Sequence, residues 1–266
     1  MINENKTETL QDNYNQRGPR DLREWMEVIE SDGELHRISV AVNAQEELAA
    51  TTYMVARDEK APALLFENIE GDKTGTRILS NMLGASNRRF ALAVGLDPNL
   101  STRDLILSTR DISKRRIAPA NVPADTAPVN EIILKGEDID LTQLPVPHFW
   151  PRDGGKYIGT GDITFTRNPD SDRINIGCYR QMLHGPRRVG MYCSPGKHGL
   201  LDREAWWNRG EECEVVVAYG IDPIPFMVAA QAYSSEVSEL DIIGGLLGAP
   251  MELTDGISTS LPIPAR

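Results

Sequence analysis

Side chains that could bind an ion or a charged ligand are concentrated in the middle of this chain. Asn175 and Arg180 lie on one short stretch between apolar residues, and His198 follows eighteen residues later in a turn that contains Pro195. Glu239 adds a carboxylate in a later, largely apolar segment. An amide oxygen, an imidazole nitrogen and a carboxylate together suit a hard or borderline divalent ion such as manganese. The residue types therefore favour a metal site, and their long spacing matches no short metal-binding motif.

Each of these side chains also has an ordinary structural interpretation. An Asn in a strand is typical of a bulge or an edge, and an Arg beside a Tyr is typical of a solvated face. A single His usually finds a hydrogen-bond partner at the surface or in the core. The hypothesis of a functional site therefore depends on the set and not on any one member.

Strands and turns predicted around this stretch would place it on a sheet. Residues 163–166 and 189–192 have the composition of strands, and the segments 168–172 and 184–187 are rich in turn-forming residues. These signals predict an antiparallel meander.

Gly177 is the predicted irregularity in this sheet. Asn175 and Arg180 differ by an odd number of residues, so an ideal strand would direct their side chains to opposite faces. If both reach one ligand, the strand must be bulged or bent, and Gly177 is the residue between them that tolerates this best.

Two helices are predicted close to the candidate residues. The pattern at 202–209 indicates a helix that carries two tryptophans. Ser238 and Asp241 form a predicted helix cap, which would place Glu239 at the start of another helix.

Several stretches of the chain resemble one known family. Residues 175–180, the pair at 197–198, Glu239 and the Pro-rich segment 144–151 resemble the UbiD family of decarboxylases in order, spacing and flanking residues. The resemblance extends from about Asp21 over nearly the whole chain. The family uses prenylated FMN (prFMN). The resemblance implies an α/β (α+β) fold, in which a small N-terminal α/β domain precedes a split β-barrel flavin-binding domain similar to that of flavin reductases.

The resemblance also implies roles for individual residues. Asn175, His198 and Glu239 match the family's metal-ligand positions. Arg180 matches the catalytic arginine that faces the substrate carboxylate, where a forked, permanently charged donor is suited. The implied ion is a divalent metal, commonly manganese, on the flavin phosphate, with a monovalent ion such as potassium nearby. The residues implied to contact the flavin are Thr160, Asn175, Ile176, Gly177, Cys178, Tyr179, Arg180, Lys197, His198 and Glu239.

Two departures from the family pattern bear on activity. Where some relatives carry serines near the phosphate, this chain has Ala229 and Ala230, so main-chain amides would have to replace the hydroxyl groups. The family's catalytic network also takes two glutamates from a stretch that does not occur in this sequence. We therefore expect the chain to correspond to an N-terminal portion of a longer family member and to be inactive by itself.

Domain organisation is predicted from changes in composition along the chain. Polar residues 1–18 predict a flexible N-terminus, and alternating helix and strand patterns predict an α/β domain over 19–118. A segment rich in Pro and small residues at 119–128 predicts a linker. Residues 129–266 would then form the prFMN-binding domain, incomplete at its C-terminus, with a first strand at 129–134.

The overall composition argues against several classes of protein. The 266 residues are 40% hydrophobic, which is enough for a sizeable core. A formal net charge of -11 argues against nucleic acid or an anionic membrane as the main partner, because both bind basic surfaces. Cys178, Cys193 and Cys213 form neither a CxxC nor a zinc-like pattern, and the sequence has no apolar signal or membrane-spanning stretch. We expect a soluble, cytoplasmic protein.

Three functional hypotheses follow. The first is a reversible nonoxidative decarboxylase of an aromatic, heteroaromatic or α,β-unsaturated acid that uses prFMN and a divalent metal. Its implied partners are a small carboxylic acid, a flavin prenyltransferase that supplies the cofactor, and further copies of itself in a homo-oligomer. The second is a noncatalytic flavin-binding module. The third is a metal-dependent hydrolase, which is the weakest hypothesis because no second acid/base carboxylate is evident beside the set.

Overall fold

The computed structural model describes residues 17–58, 60–159 and 161–266. The N-terminal segment predicted to be flexible is residues 1–18. Of these, residues 1–16 lie outside the described residues. No described helix is both long enough and apolar enough to cross a membrane.

The first part of the chain alternates helices with strands. Their bounds are α1 (Leu22–Ser31), β1 (Leu35–Ile38), α2 (Glu47–Val55), β2 (Ala63–Phe66), β3 (Ile78–Ser80), α3 (Asn87–Ala93) and α4 (Thr102–Ile112). Helix α1 begins where the Asp21 side chain accepts a hydrogen bond from the Glu24 N–H at 2.9 Å. Its apolar face is set by Trp25 and Ile29, one turn apart and fully buried. Strand β2 is buried along its length, and it pairs in parallel with β1 and antiparallel with β3.

The second part contains short strands and three further helices. The strands are β4 (Ala120–Asn121), β5 (Tyr157–Gly159), β6 (Asp162–Arg167), β7 (Ile174–Gly177), β8 (Gln181–Leu183), β9 (Val189–Met191), β10 (Val216–Tyr219), β11 (Glu252–Asp255) and β12 (Pro262–Pro264). The helices are α5 (His198–Asn208), α6 (Pro223–Ala229) and α7 (Glu239–Leu247). Single turns of 3-10 helix occur at Pro128–Asn130, Gly136–Asp138 and Leu141–Gln143.

A long, bent antiparallel hairpin holds most of the predicted site stretch. Strand β6 pairs with β7, and β5, just before β6, pairs with β8, just after β7. The register of the β5–β8 pairing shifts between Tyr157 and Gly159, and residues 178–180 belong to neither β7 nor β8. The interruption falls directly after Gly177, where the sequence predicted a bulge or a bend.

The described strands form four three-stranded sheets with the orders β1-β2-β3, β10-β6-β7, β12-β11-β4 and β5-β8-β9. These pairings give a mixed α/β fold with small sheets, and the described strands do not close into a barrel. The split-barrel description is therefore not confirmed. Residues 120–121 of the predicted linker pair in parallel with β11.

One hydrophobic core runs through both parts of the chain. Trp25 and Ala91 from the first part belong to the same buried cluster as Phe165 of β6 and Ile243 of α7. This packing fixes the β10-β6-β7 sheet and α7 against the N-terminal helices, and these elements carry the candidate site.

The strand predicted at 129–134 is wrong. Pro128–Asn130 forms a 3-10 turn, and the apolar side chains that follow are exposed, with Ile132 at 78% and Leu134 at 60%. The Val129 N–H donates to the Ala265 carbonyl at 3.0 Å, and no described strand continues this pairing. An apolar, β-branched run forms a strand only where a neighbouring backbone takes up its hydrogen bonds.

The helix predicted at 202–209 begins one turn earlier, at His198. The residue before it, Lys197, makes no side-chain capping hydrogen bond. The sequence therefore lacked the Ser, Thr, Asp or Asn that usually signals a helix start.

Candidate functional site

Eight of the ten residues predicted to form the site line one cavity of about 170 Å³. The residues that line it are Asn175, Ile176, Gly177, Cys178, Tyr179, Gly196, Lys197, His198, Ala229, Ala230, Gln231, Ala232, Tyr233 and Glu239. A larger open groove of about 850 Å³ runs along α1 and β10, but none of the predicted site residues lines it. The candidate chemistry therefore belongs to the smaller cavity.

Asn175 projects from β7 and is 2% exposed. It stands directly opposite Thr166 in the β6–β7 pairing, and its Nδ2 donates to the Thr166 Oγ1 at 3.0 Å. Burial raises the pKa of the Tyr179 phenol, and a hydrogen bond with the Asn175 side chain opposes this shift, as expected when the amide is the donor. Because the amide nitrogen donates to these neighbours, the side-chain oxygen is the atom available to a ligand.

His198 is the first residue of α5 and is partly exposed at the cavity. Burial lowers the pKa of its imidazole, as does the charge of Arg173, while Asp202 opposes the shift and Lys197 adds to it. The ring makes no hydrogen bond to any residue of the described ranges. A neutral imidazole with a free nitrogen is the form that binds metals.

Glu239 is the first residue of α7, whose start is capped by the Ser238 hydroxyl accepting from the Asp241 N–H at 3.2 Å. The Glu239 carboxylate is 4% exposed and accepts one hydrogen bond, from the Ile176 N–H at 3.2 Å. Burial raises its pKa, while the Ile176 N–H and the charge of Arg173 oppose the shift. Arg173 lies near enough to act through its charge, but no Lys or Arg of the described residues forms a salt bridge with Glu239. A buried carboxylate beside a cavity, without a paired cation, is a strong acceptor for a positive ion.

These three groups fit a divalent metal. The free amide oxygen of Asn175, the imidazole of His198 and the second carboxylate oxygen of Glu239 form a mixed oxygen and nitrogen donor set on one cavity. Among the described residues, no cluster of three His, Cys, Asp or Glu side chains could hold a metal. A metal at this cavity would therefore require the Asn175 amide as a ligand.

Tyr179 ties the end of β7 to the start of α5. Its hydroxyl accepts from the Gly199 N–H at 3.1 Å. A Cβ atom at Gly177 would lie 2.4 Å from this hydroxyl oxygen, and one at Gly199 would lie 2.6 Å from it. A larger residue at either position would therefore displace Tyr179, which holds the helix start that carries His198. Burial raises the pKa of the Tyr179 phenol, so the group stays neutral.

The starts of two helices meet at the cavity. His198 is the first residue of α5 and Glu239 is the first residue of α7, and Lys197 is exposed beside them. Helix N-termini favour anions, because their free N–H groups and dipoles point outward. A phosphate group and a bridging cation together would suit this arrangement.

The end of α6 and the residues that follow it also line the cavity. The Cys178 N–H donates to the Ala229 carbonyl at 3.2 Å, so this carbonyl is occupied. Neither Ala229 nor Ala230 provides a hydroxyl. Burial raises the pKa of the Cys178 thiol to about 11, which argues against a thiolate nucleophile.

Arg180 is not among the residues that line the cavity. Its guanidinium carbon lies 3.8 Å from the centroid of the Tyr157 ring, and its Nη2 donates to the Asp153 carboxylate at 3.0 Å. The side chain is 48% exposed. Thr160, the remaining predicted site residue, lies outside the described residues.

Sequence reasoning missed the polar groups that support the site from behind. Asp202 is fully buried on α5, and Thr166 and Arg173 lie on or beside the paired strands. Asp202 is four residues after His198, so a correctly placed helix start would have indicated that the two share a face.

Two protein-family profiles match the chain. The profile of the 3-octaprenyl-4-hydroxybenzoate carboxy-lyase N-terminal domain matches residues 26–108, and that of the Rift-related domain of the same carboxy-lyase matches residues 120–266. Together the two matches cover most of the chain, and the second includes every residue of the cavity.

Solved structures of similar fold include two enzymes. Vanillic acid decarboxylase from Sedimentibacter hydroxybenzoicus, in its closed form, has a TM-score of 0.87 and 28% identity over 92% of this chain and 52% of its own. The UbiD-class enzyme HmfF from Pelotomaculum thermopropionicum, in complex with FMN, has a TM-score of 0.82 and 28% identity over 92% of this chain and 52% of its own. An evolved dimeric form of HmfF in complex with prFMN has a TM-score of 0.82 and 28% identity over 92% of this chain and 55% of its own. The chain thus spans about half the length of these enzymes.

Proposed function

The chain belongs to the UbiD family of carboxy-lyases, and from this premise we propose that it forms the metal- and flavin-phosphate-binding part of a reversible nonoxidative decarboxylase. The proposed substrate is an aromatic, heteroaromatic or α,β-unsaturated carboxylic acid. The observation that carries the proposal is the meeting of Asn175, His198 and Glu239 on one cavity, from three distant places in the sequence.

In this proposal the three residues hold a divalent ion, and manganese suits their mixed donor set. The starts of α5 and α7 would favour a phosphate group, and the ion would neutralise its charge. Bound prFMN supplies the electron sink that an amino-acid side chain cannot provide. The monovalent potassium ion that the family resemblance implies remains a prediction without assigned ligands.

The cavity accounts for part of a flavin site only. Its volume of about 170 Å³ is well below the ~300–1,000 Å³ of a typical cofactor pocket. It has room for an ion and a phosphate, and residues 176–179 would contact the flavin. The split-barrel architecture of flavin reductases remains a proposal, supported by the two antiparallel sheets that share the bent hairpin.

Arg180 is proposed to orient the substrate carboxylate. A guanidinium is permanently charged and can hold a carboxylate through two parallel hydrogen bonds. Its position over Tyr157 is exposed, and only one of its nitrogens contacts Asp153, so donors remain for a ligand.

The wider features of the family are proposed on the resemblance alone. They are a cytoplasmic location, a homo-oligomer, and a flavin prenyltransferase that supplies the cofactor. One similar structure is an evolved dimeric form of HmfF.

We propose that this chain by itself binds the metal and the flavin but does not decarboxylate a substrate. Glu239 is the only carboxylate among the described residues that line the cavity, and as a metal ligand it is not free to move a proton. Decarboxylation also needs an acid that protonates the product carbon. This observation favours a second candidate for the isolated chain, a flavin-binding unit without activity. Incubation with prFMN, Mn²⁺ and aromatic acids should release no carbon dioxide, and any enzyme-dependent release would contradict this.

The metal-bridged phosphate predicts how flavins bind. FMN should bind more tightly with Mn²⁺ than without it, as measured by quenching of flavin fluorescence, because the ion joins the phosphate to the protein. Riboflavin, which lacks the phosphate, is the matched control and should show no dependence on Mn²⁺. Equal Mn²⁺ dependence for the two flavins would refute the proposed role of the cavity.

A further inference from the structure

The buried polar groups behind the cavity form a directed chain of hydrogen bonds. The Asn175 Nδ2 donates to the Thr166 Oγ1 at 3.0 Å, and the Thr166 hydroxyl donates to the Asp202 Oδ2 at 2.7 Å. All three residues are at most 2% exposed.

Asp202 fixes the direction of this chain because donors surround it. Besides Thr166, the Asn168 Nδ2 lies 3.1 Å and the Arg173 Nη2 lies 3.4 Å from its Oδ1. A carboxylate that faces three donors acts as an acceptor. The single proton of the Thr166 hydroxyl then points to Asp202, so the Thr166 oxygen can only accept from Asn175.

This arrangement determines which atom of Asn175 faces the cavity. An amide can turn over and exchange its oxygen with its nitrogen at little steric cost. Acceptance by Thr166 selects the orientation with the nitrogen inward and the oxygen outward, and the hydrogen bond between Asn175 and Tyr179 favours the same orientation. Only the oxygen can bind a cation.

Helix α5 therefore contributes to the positions of two proposed metal ligands, His198 and Asn175. Helix α5 presents His198 at the cavity, and Asp202, one turn later, faces β6 and β7. Thr166 and Asn175 are a directly opposed pair in those strands.

We propose that Asp202 is a positioning residue, which acts through Thr166 to hold the Asn175 amide with its oxygen directed into the cavity. This inference deepens the proposed metal site and rests on it for its functional meaning. The orientation itself can be measured without any metal.

The alternative is that Asp202 only neutralises Arg173 in the core. The substitution Thr166→Val separates the two ideas, because it removes the hydroxyl and leaves the contact between Asp202 and Arg173 in place. Asp202→Asn is less informative, because it removes the charge but keeps a side-chain oxygen that can accept from Thr166. Thr166→Ser keeps the hydroxyl and serves as the conservative variant.

The matched control is Thr164→Val. Thr164 is on the same strand two residues earlier, so it points to the same face, and it is also fully buried. Its hydroxyl donates to Asp162 at 3.0 Å instead of to Asp202. Thr164→Val therefore removes a buried hydroxyl but leaves the hydrogen bonds between Asn175, Thr166 and Asp202 in place.

The first measurement is hydrogen exchange of the Asn175 side-chain amide, followed by NMR in the absence of metal. The Asn175 signal is identified by its loss in the spectrum of Asn175→Ala. Exchange should be slow in the wild type, Thr166→Ser and Thr164→Val, and at least about tenfold faster in Thr166→Val once its hydrogen-bond partner is lost. Unchanged exchange in Thr166→Val would overturn the inference.

The second measurement is Mn²⁺ affinity by electron paramagnetic resonance. Thr166→Val should weaken binding by about 10–100-fold, the usual effect of removing a residue that orients a metal ligand. Thr164→Val and Thr166→Ser should stay close to the wild type. Equal weakening by Thr164→Val and Thr166→Val would overturn the positioning role.

The two measurements also separate this inference from the proposed function. If the wild-type chain binds no Mn²⁺ but the exchange contrast holds, the metal site fails and the orientation of the amide stands. If Mn²⁺ binds normally to Thr166→Val, the metal site stands and the positioning role fails.

Discussion

At the scale of single residues, the candidate site depends on small side chains as much as on polar ones. Gly177 leaves room for the Tyr179 ring, and that ring in turn holds the start of α5 through its hydroxyl. The position of His198 therefore follows from a glycine 21 residues earlier in the chain. Close packing makes such a dependence strict, because interiors have few voids.

Gly177→Ala is expected to destabilise the fold and displace Tyr179. The new Cβ would lie 2.4 Å from the Tyr179 hydroxyl oxygen, and overpacking of this kind costs about 1–3 kcal/mol. Chemical denaturation measures the loss in the free energy of unfolding. Gly161→Ala is the matched control, since a Cβ there meets no atom within 4 Å. Equal stability of the two variants would show that Tyr179 does not pack as described.

Asp222 predicts a pH dependence of stability. It is 3% exposed, and burial raises the pKa of its carboxyl to about 7, while the Ile224 N–H opposes the shift and Asp21 adds to it. An unfolded Asp titrates near pH ~4. Between about pH 4 and pH 7 the folded chain therefore keeps a proton that the unfolded chain has lost, and the free energy of unfolding falls as the pH rises through this window.

Asp222→Asn should remove that part of the slope. The Asn oxygen can still accept from the Ile224 N–H and cap α6, so the variant should be at least as stable as the wild type at pH 8. Denaturation curves at several pH values provide the measurement. The same slope in the variant and the wild type would mean that another group titrates.

The sequence identified the three proposed ligands but not their support. Asn175, His198 and Glu239 were recognised from residue type and family resemblance, which need no knowledge of the fold. Thr166 and Asp202 were missed because their role depends on strand register and on where α5 begins. Arg180 was predicted from the same resemblance, yet its side chain lies on Tyr157, since χ angles and local partners decide where a long side chain points.

At the scale of elements, helix starts position the site. The cap at Ser238 was predictable from the sequence because a hydroxyl three residues before an acidic residue is a common signal. The start of α5 was not, because Lys197 provides no such signal. The strand predicted at 129–134 failed for a different reason, since strands depend on partners that local sequence does not specify.

Ser238→Ala should weaken both the fold and the site. Loss of the hydrogen bond from the Asp241 N–H removes the cap of α7, at a cost of about 0.5–2 kcal/mol, and loosens the turn that holds Glu239. Ser101→Ala is the matched control, because Ser101 caps α4 in the same way, accepting from the Asp104 N–H at 3.1 Å. Both variants should lose similar stability in thermal denaturation, and only Ser238→Ala should weaken Mn²⁺ binding. Weaker Mn²⁺ binding in both would indicate a general effect of stability.

At the scale of the whole molecule, the two parts of the chain share one core. Phe165 of β6 and Ile243 of α7 are fully buried in the cluster that also contains Trp25 and Ile29 of α1. A second, smaller cluster around Leu48, Leu64 and Phe66 lies in the first part of the chain. The predicted division into domains at 119–128 stays a prediction. The general α/β character was predictable from the alternation of patterns, whereas this packing between distant segments was not.

A shared core predicts one cooperative unfolding transition. Phe165→Ala should lower the free energy of unfolding by about 3–5 kcal/mol, because it opens a cavity where both parts meet. Circular dichroism and tryptophan fluorescence should then shift together, since both parts unfold as a unit. Two separate transitions, with only one of them shifted by the substitution, would contradict this packing.

Asn175, His198 and Glu239 are proposed to bind one divalent ion together. The most direct test is a titration of the chain with Mn²⁺, followed by electron paramagnetic resonance. We predict one bound ion per wild-type chain, loss of this binding in His198→Ala and in Glu239→Ala, and no change in His36→Ala, which replaces an exposed histidine on β1. If Mn²⁺ still binds to both His198→Ala and Glu239→Ala, these residues do not form the metal site.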